Sequence, residues 1–229
     1  MQSTLIPAAG LSSRMGSSKP LLPWGEITLV ERAVQAAFEV CLHVIVVVGY
    51  EADQVEALLR ASFADVVLDT GEVGTANSAQ PDQAANAARL SIVRNATYHE
   101  GMLSSLRCGA AAVRTEWFYV TPVDMPLVTA NEYQNVQPHP DADAVFPVWN
   151  GRRGHPVLIR STVLPALFQA GPEIGAMRDI LRQFRCRETQ AQSEAVLIDV
   201  DTAAEYRRVA HTGSSTKAKI RRATLGGNK

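Results

Sequence analysis

The residues with the greatest capacity for chemistry lie early in the chain, in the stretch 8–19, AAGLSSRMGSSK, which gathers two glycines, four serines, Arg14 and Lys19. Such a segment builds little core. Its backbone N–H groups, hydroxyls and two cations suit a polyphosphate. Its register excludes two familiar phosphate loops: no glycine is followed directly by Lys-Ser/Thr, and there is no GxGxxG. Gly10 permits close backbone approach, and Arg14 and Lys19 can meet triphosphate charge from two sides. Composition alone also fits a polar strand–helix connection.

Other candidates follow. Asp124, in VDMP, ends an apolar run, where a carboxylate can hold a divalent cation or start a turn. Asp199 and Asp201 alternate onto one side of a late segment, and either could reach the same metal or cap the following helix; Asp201 is the favoured ligand. Arg152, Arg153 and His155 lie in NGRRGHP, a set that suits an anionic, heteroatom-rich substrate or an exposed turn. Ser104 and Ser105, after Gly101, could contact a base or ribose, or simply cap a helix. His43, His99, His139 and His211 have no metal-like spacing and read as surface or structural residues.

Elements that position these residues are legible as alternating patterns. Strands are expected at Ser3–Ala8, His43–Val48, Asp65–Leu68, Ser91–Arg94, Trp117–Val120 and Ala195–Asp199. Helices are expected at Thr28–Val40, Ala52–Arg60, Met102–Val113, Thr129–Val136, Val163–Gln169, Gly175–Phe184 and Thr202–Ala210. Ala144–Val148 and His155–Ile159 flank the glycine-bounded basic tip as a hairpin. The apolar strands are continuous rather than alternating, as in a buried parallel sheet. The order predicts a single-domain, Rossmann-like, doubly wound α/β fold, mostly parallel, with a small antiparallel hairpin. Residues 71–90, rich in Ala, Asn and Gln, read as a surface excursion with a helix over 82–90.

Composition narrows the class. With 229 residues, 46% hydrophobic and 20% charged, the chain suits one α/β domain over 1–211. Residues 212–229 form a basic tail expected to be disordered; without its five cations, 17 basic residues face 23 acidic ones. A mildly acidic body argues against nucleic acid as a partner. Three dispersed cysteines, Cys41, Cys108 and Cys186, suggest neither a disulfide framework nor a zinc site. No leader pattern or long apolar run is visible, so no membrane partner and a cytoplasmic location are expected.

Taken in order, these motifs resemble the MobA-like nucleotidyltransferases, and within them the molybdenum cofactor cytidylyltransferase family. The likeness spans about residues 4–210 apart from 71–90. It rests on AAGLSSRMGSSKPLLP, NATYHEGMLSSLRCG, VDMP, GRRGHPVL, GPEIGAMRDIL and DVDTAAEY. Guanylyltransferase members typically carry Ala-Gly-Gly where this chain has Ala8-Ala9-Gly10, which favours cytosine. The chain departs from the family at Pro7, Leu103 and Ala203-Ala204, and none of these removes a proposed catalytic group.

The resemblance implies transfer of CMP from CTP to the terminal phosphate of molybdopterin, releasing pyrophosphate, with Mg2+ as cofactor and a molybdoenzyme as recipient of the product. It implies Arg14, Lys19 and Asp124 as catalytic residues and Asp124 and Asp201 as metal ligands. The nucleotide would meet Ala8, Ala9, Gly10, Ser12, Arg14, Lys19, Asn95, Ser104 and Ser105, and the pterin Arg152, Arg153, Gly154 and His155. A sugar-phosphate nucleotidyltransferase fits the loop equally well and the hairpin less well. A non-catalytic carrier or insertion chaperone of the cofactor would need the hairpin but not Lys19.

Overall fold

The computed structural model describes residues 2–10, 18–71, 87–171 and 173–210. Ser12, Arg14, most of the 71–90 excursion and the basic tail lie outside them. The chain opens with β1 (Gln2–Pro7), followed by a short antiparallel pair, β2 (Pro23–Trp24) and β3 (Ile27–Thr28), and helix α1 (Leu29–Phe38). Next come β4 (His43–Val48), α2 (Ala52–Ser62), β5 (Val67–Gly71), β6 (Arg89–Arg94), α3 (Met102–Ala110), β7 (Trp117–Val120) and α4 (Ala130–Asn135). Then follow β8 (Ala144–Trp149), β9 (Arg152–Arg153), β10 (Val157–Arg160), α5 (Leu164–Gln169), α6 (Met177–Leu181) and β11 (Cys186–Gln190), and a last helix, α7 (203–210).

Among the described residues nine strands form one sheet in the order β11-β8-β10-β7-β1-β4-β6-β5, with β9 paired to β8. The half from β7 to β5 is parallel; β10 runs antiparallel between β7 and β8. Helices cover both faces, which is why β4 is an unbroken apolar run. Val44, Val46 and Val48 join the core under α1 and α2, while Ile45 and Val47 join the core under α3. Burying each such side chain contributes about 1.5–3 kcal/mol. Gly109 lets α3 lie close on the sheet, since a methyl there would overlap Leu5 and Val47. No described helix is long and apolar enough to cross a membrane.

This order places a topological switch point between β1 and β7. From β1 the chain moves to β4 on one side, and it later returns to β7 on the other. Ligands in open α/β sheets bind beyond the strand ends at such a point.

Several expected elements differ. Residues 195–199 are not a strand: Glu194–Leu197 is a 3-10 turn, started by the Ser193 hydroxyl accepting from the Ala195 N–H. Val196 is buried beneath a chain that crosses the sheet end, so its apolar signal is satisfied without strand pairing. Residues 89–90, expected to be helical, belong to β6. The helix expected over 175–184 contracts to Met177–Leu181, and β10 begins at Val157 because the His155 N–H bonds Val196 and Pro156 has none to give. Sheet edge β11 was not anticipated, because its sequence, CRETQ, is mostly polar and exposed.

Candidate active site

Lys19 stands at the centre of the switch point. The chain leaves β1 through buried Ala8 and Ala9, held by the Ala8 N–H on the Val47 carbonyl. Gly10 is exposed, and among the described residues nothing lies within 4 Å of a methyl placed there. The chain re-enters the described structure at Ser18, and Lys19 begins a short 3-10 turn.

The Lys19 ammonium donates to Asp124 Oδ2 at 2.8 Å and to Asp201 Oδ1 at 2.5 Å. The two aspartates reach this point differently. Asp124 lies just beyond the end of β7. Asp201 arrives on the crossing segment, where the Val200 N–H bonds the Asp124 carbonyl. A capping box then fixes it. The Glu205 carboxylate accepts from the backbone N–H groups of Asp201 and Thr202, and the Thr202 hydroxyl accepts from the Glu205 N–H. Helix α7 is anchored in turn: Val209 packs with Trp24 and Leu29, and the Tyr206 hydroxyl donates to the Pro23 carbonyl. Burial lowers the Lys19 pKa, but the two aspartates more than offset it, and the net shift is upward. Asp199 belongs to the same field: burial, then the charges of Asp201 and Asp124, push its carboxyl up.

Two carboxylates flanking one cation-sized position fit a divalent ion. Among the described residues no group of three or more His, Cys, Asp or Glu could hold a metal by protein atoms alone. A divalent ion held here would draw its other ligands from water and substrate phosphates.

The remaining expected residues form two further groups. Asn95, Ser104 and Ser105 are buried together: the Asn95 amide donates to both hydroxyls at 2.9 and 3.1 Å, and its carbonyl accepts from the Thr97 N–H. Ser104 Oγ also donates to the backbone at Thr97 and Gly101. These polar groups serve one another and hold the turn at 97–101 beside the start of α3. Gly154 and His155 sit at the boundary between the carboxylates and the antiparallel half of the sheet. A methyl on Gly154 would overlap the Val196 carbonyl. The His155 ring nitrogen Nδ1 lies 3.2 Å from the Val120 carbonyl, and burial pushes its pKa down, opposed by that carbonyl and by the Asp124 charge. Arg152 and Arg153 are exposed on β9; Arg153 pairs with Glu188 at 2.7 Å and lies 4.6 Å from the centre of the Phe146 ring.

A cleft of about 750 Å3 opens beside this boundary. Its lining combines Arg153, Gly154 and His155 with Phe146, Val157, Leu181 and Phe184, and with Arg178, Arg182 and Cys186. Residue-by-residue reading missed Arg178 and Arg182, although GPEIGAMRDIL was recognisable as a motif without a role.

The MobA-like NTP transferase domain matches residues 4–192. The molybdenum cofactor cytidylyltransferase of Escherichia coli strain K12 is 28% identical over 204 residues, covering 88% of this chain and 92% of the relative. A nucleotidyl transferase from Methanothermobacter thermautotroptrophicus superimposes with a TM-score of 0.72 at 21% identity, covering 94% of this chain and 99% of that one. Molybdopterin-guanine dinucleotide biosynthesis protein A from Archaeoglobus fulgidus superimposes with a TM-score of 0.65 at 13% identity, covering 93% and 100%. Both structural likenesses are likenesses of fold.

Proposed function

The chain belongs to the MobA-like NTP transferase family and is a nucleotidyltransferase, and on that premise we propose that it transfers CMP from CTP to the terminal phosphate of molybdopterin. The observation that carries the reading is the convergence of Lys19, Asp124 and Asp201 at the switch point beyond β1 and β7. The likeness to a cytidylyltransferase and the Ala8-Ala9-Gly10 loop start support cytosine as the base.

The reaction needs no strong general base. A phosphomonoester has a second pKa of about 6, so the acceptor is largely dianionic near neutral pH and can attack the α-phosphorus directly. Pyrophosphate leaves as the new phosphoanhydride forms. The work left to the protein is positioning and charge stabilisation. Arg14 and Lys19 would face the triphosphate and the negative charge that builds on departing pyrophosphate. For Lys19 this means exchanging two carboxylates for phosphate oxygens. Asp124 and Asp201 would hold Mg2+, whose bound role is to neutralise phosphate charge and align the reacting groups. The Asn95–Ser104–Ser105 group would shape the nucleoside side through the turn it holds. Arg152, Arg153, Gly154 and His155 would face the pterin.

A screen of CTP, GTP, ATP and UTP for pyrophosphate release, with molybdenum cofactor as acceptor and Mg2+ present, tests the reading. Turnover with CTP is expected. Absence of turnover with every nucleotide removes the acceptor assignment, and preference for GTP removes the base assignment.

A further inference from the structure

Three strands leave the sheet around Gly49, and their exits are tied together. The Tyr50 N–H donates to the Ala9 carbonyl at 3.1 Å, and the Asn95 N–H donates to the Val48 carbonyl at 2.8 Å. Gly49 lies between the other two exits. A methyl there would stand 2.8 Å from the Ala9 methyl and 2.7 Å from Cβ of Tyr98, closer than carbon atoms pack. Its φ is not left-handed, so glycine serves here for space and not for backbone freedom. Tyr98 opens the turn that hangs from Asn95, whose amide oxygen accepts from the Thr97 N–H. The tyrosine is half-buried: it packs on the core that contains Ala9, Val47 and Leu103, and its ring meets His99 edge-on.

Ala9 is only 1% exposed. Its methyl does not touch a base, although the loop start that contains it is the feature that favours cytosine. A buried methyl acts on a ligand through its own backbone or through what it packs against, and across Gly49 the half-exposed neighbour is Tyr98. The triphosphate cannot supply the discrimination, because Lys19 and a divalent ion meet phosphates common to every nucleotide. Resting on the nucleotide reading given above, we infer that Tyr98 sets the width of the base site and that Ala9 selects the base indirectly, as the prop that holds Tyr98 in place. With the methyl present, the ring narrows the site to a single-ring base. Without it, the turn closes towards the end of β4, the ring withdraws, and a two-ring base enters.

A double-mutant cycle on binding tests the assignment. Calorimetry gives the dissociation constants of CTP and GTP, with Mg2+ and no acceptor, for the wild type, Ala9→Gly, Tyr98→Ala, the double variant and Tyr98→Phe. The wild type should favour CTP. Each of Ala9→Gly and Tyr98→Ala should lower that preference about tenfold, the scale for a small apolar group in a pocket. Tyr98→Phe, which keeps the ring, should retain it. In the Tyr98→Ala background, Ala9→Gly should change the preference less than about twofold, because the prop has lost what it supports. Thermal unfolding checks each fold, and Tyr98→Leu replaces Tyr98→Ala in the cycle where the latter does not fold. Additive losses, about a hundredfold together, would place base choice in the loop backbone and overturn the inference. Equal weakening of both nucleotides by Tyr98→Ala, no discrimination in the wild type, or a Tyr98→Phe that behaves like Tyr98→Ala would overturn it as well. A wild-type preference for GTP removes the cytosine assignment alone, since the cycle still decides whether Ala9 acts through Tyr98.

Discussion

Replacing Lys19 by Met separates the two tasks that its ammonium performs. In the structure it joins two carboxylates that come from distant parts of the chain. The Lys19 side chain is 16% exposed, that of Asp124 19% and that of Asp201 44%. Hydrogen bonds to charged groups contribute about 1.5–3 kcal/mol each, and the open side of Asp201 puts its share at the low end. Losing both, and leaving two carboxylates facing each other, should cost about 3 kcal/mol without divalent cations. For a chain of this size that is a fall in Tm of about 6–12 °C. Because the Lys19 pKa is raised on folding, its contribution is complete below the ordinary lysine value and is lost only as pH rises through the folded one. The deficit should therefore be constant from pH 7 to 9. Millimolar Mg2+ should recover much of it, because the ion takes the place between the aspartates, and should stabilise the variant more than the wild type. Turnover with CTP should still fall about 100- to 1,000-fold at saturating Mg2+, as for loss of a charge-stabilising group. Thermal unfolding in EDTA and in Mg2+, with steady-state pyrophosphate release, measures all three quantities. Equal Mg2+ shifts in variant and wild type, or unchanged kcat/KM, would refute the shared-site reasoning.

Three other expectations follow from particular contacts. Asp124→Asn should abolish Mg2+-dependent pyrophosphate release, read as a loss of at least about 100-fold in kcat; retention of the wild-type rate would exclude Asp124 as a ligand. Burial pushes His43 down to about 4, and its Nε2 lies 2.8 Å from the Ser91 hydroxyl. Stability is then full above pH 6.5 and is lost as pH falls towards 4, by about 3 kcal/mol, because the unfolded chain binds the proton first; urea unfolding across that window should be flatter for His43→Gln. Gly154→Ala drives a methyl into the Val196 carbonyl, which accepts from the His155 N–H, and should cost about 1–3 kcal/mol in urea unfolding and raise the acceptor KM.

How much of this was legible in the sequence depended on burial. Strands sandwiched between helices declare themselves as continuous apolar runs, and β4 and β7 have the bounds the sequence predicts. Edge strand β11 does not, because Arg187, Glu188 and Gln190 face solvent and its hydrogen bonding, not its side chains, makes it a strand. The 195–199 run shows the converse: one deeply buried residue, Val196, gives an apolar signal without strand pairing. For the site, motif order singled out Lys19, Asp124 and Asp201, yet no local period could show that residues 105 and 182 positions apart share one cation. Arg178 stayed silent because an exposed arginine on a short helix looks like any solvated charge until the cleft around it is seen.

The division of the sheet carries a consequence for specificity. Everything proposed for the nucleotide lies beyond the parallel strands β1, β7 and β6, and everything proposed for the acceptor lies by the antiparallel strands β8 to β10. The two halves meet at the 194–201 crossing, which gives Val196 to His155, Val200 to Asp124 and Asp201 to Lys19. A change on one side should therefore leave selection on the other intact, whereas a change in the crossing should disturb both. Substituting Ala9 by Gly should alter the ratio of CTP to GTP turnover without changing acceptor KM, while loosening the crossing through Thr202→Ala, which removes the hydroxyl of the capping box, should raise both nucleotide and acceptor KM. Paired kinetics on these two variants decide the matter: if Thr202→Ala affected only one substrate, the crossing would not be the element that couples the halves.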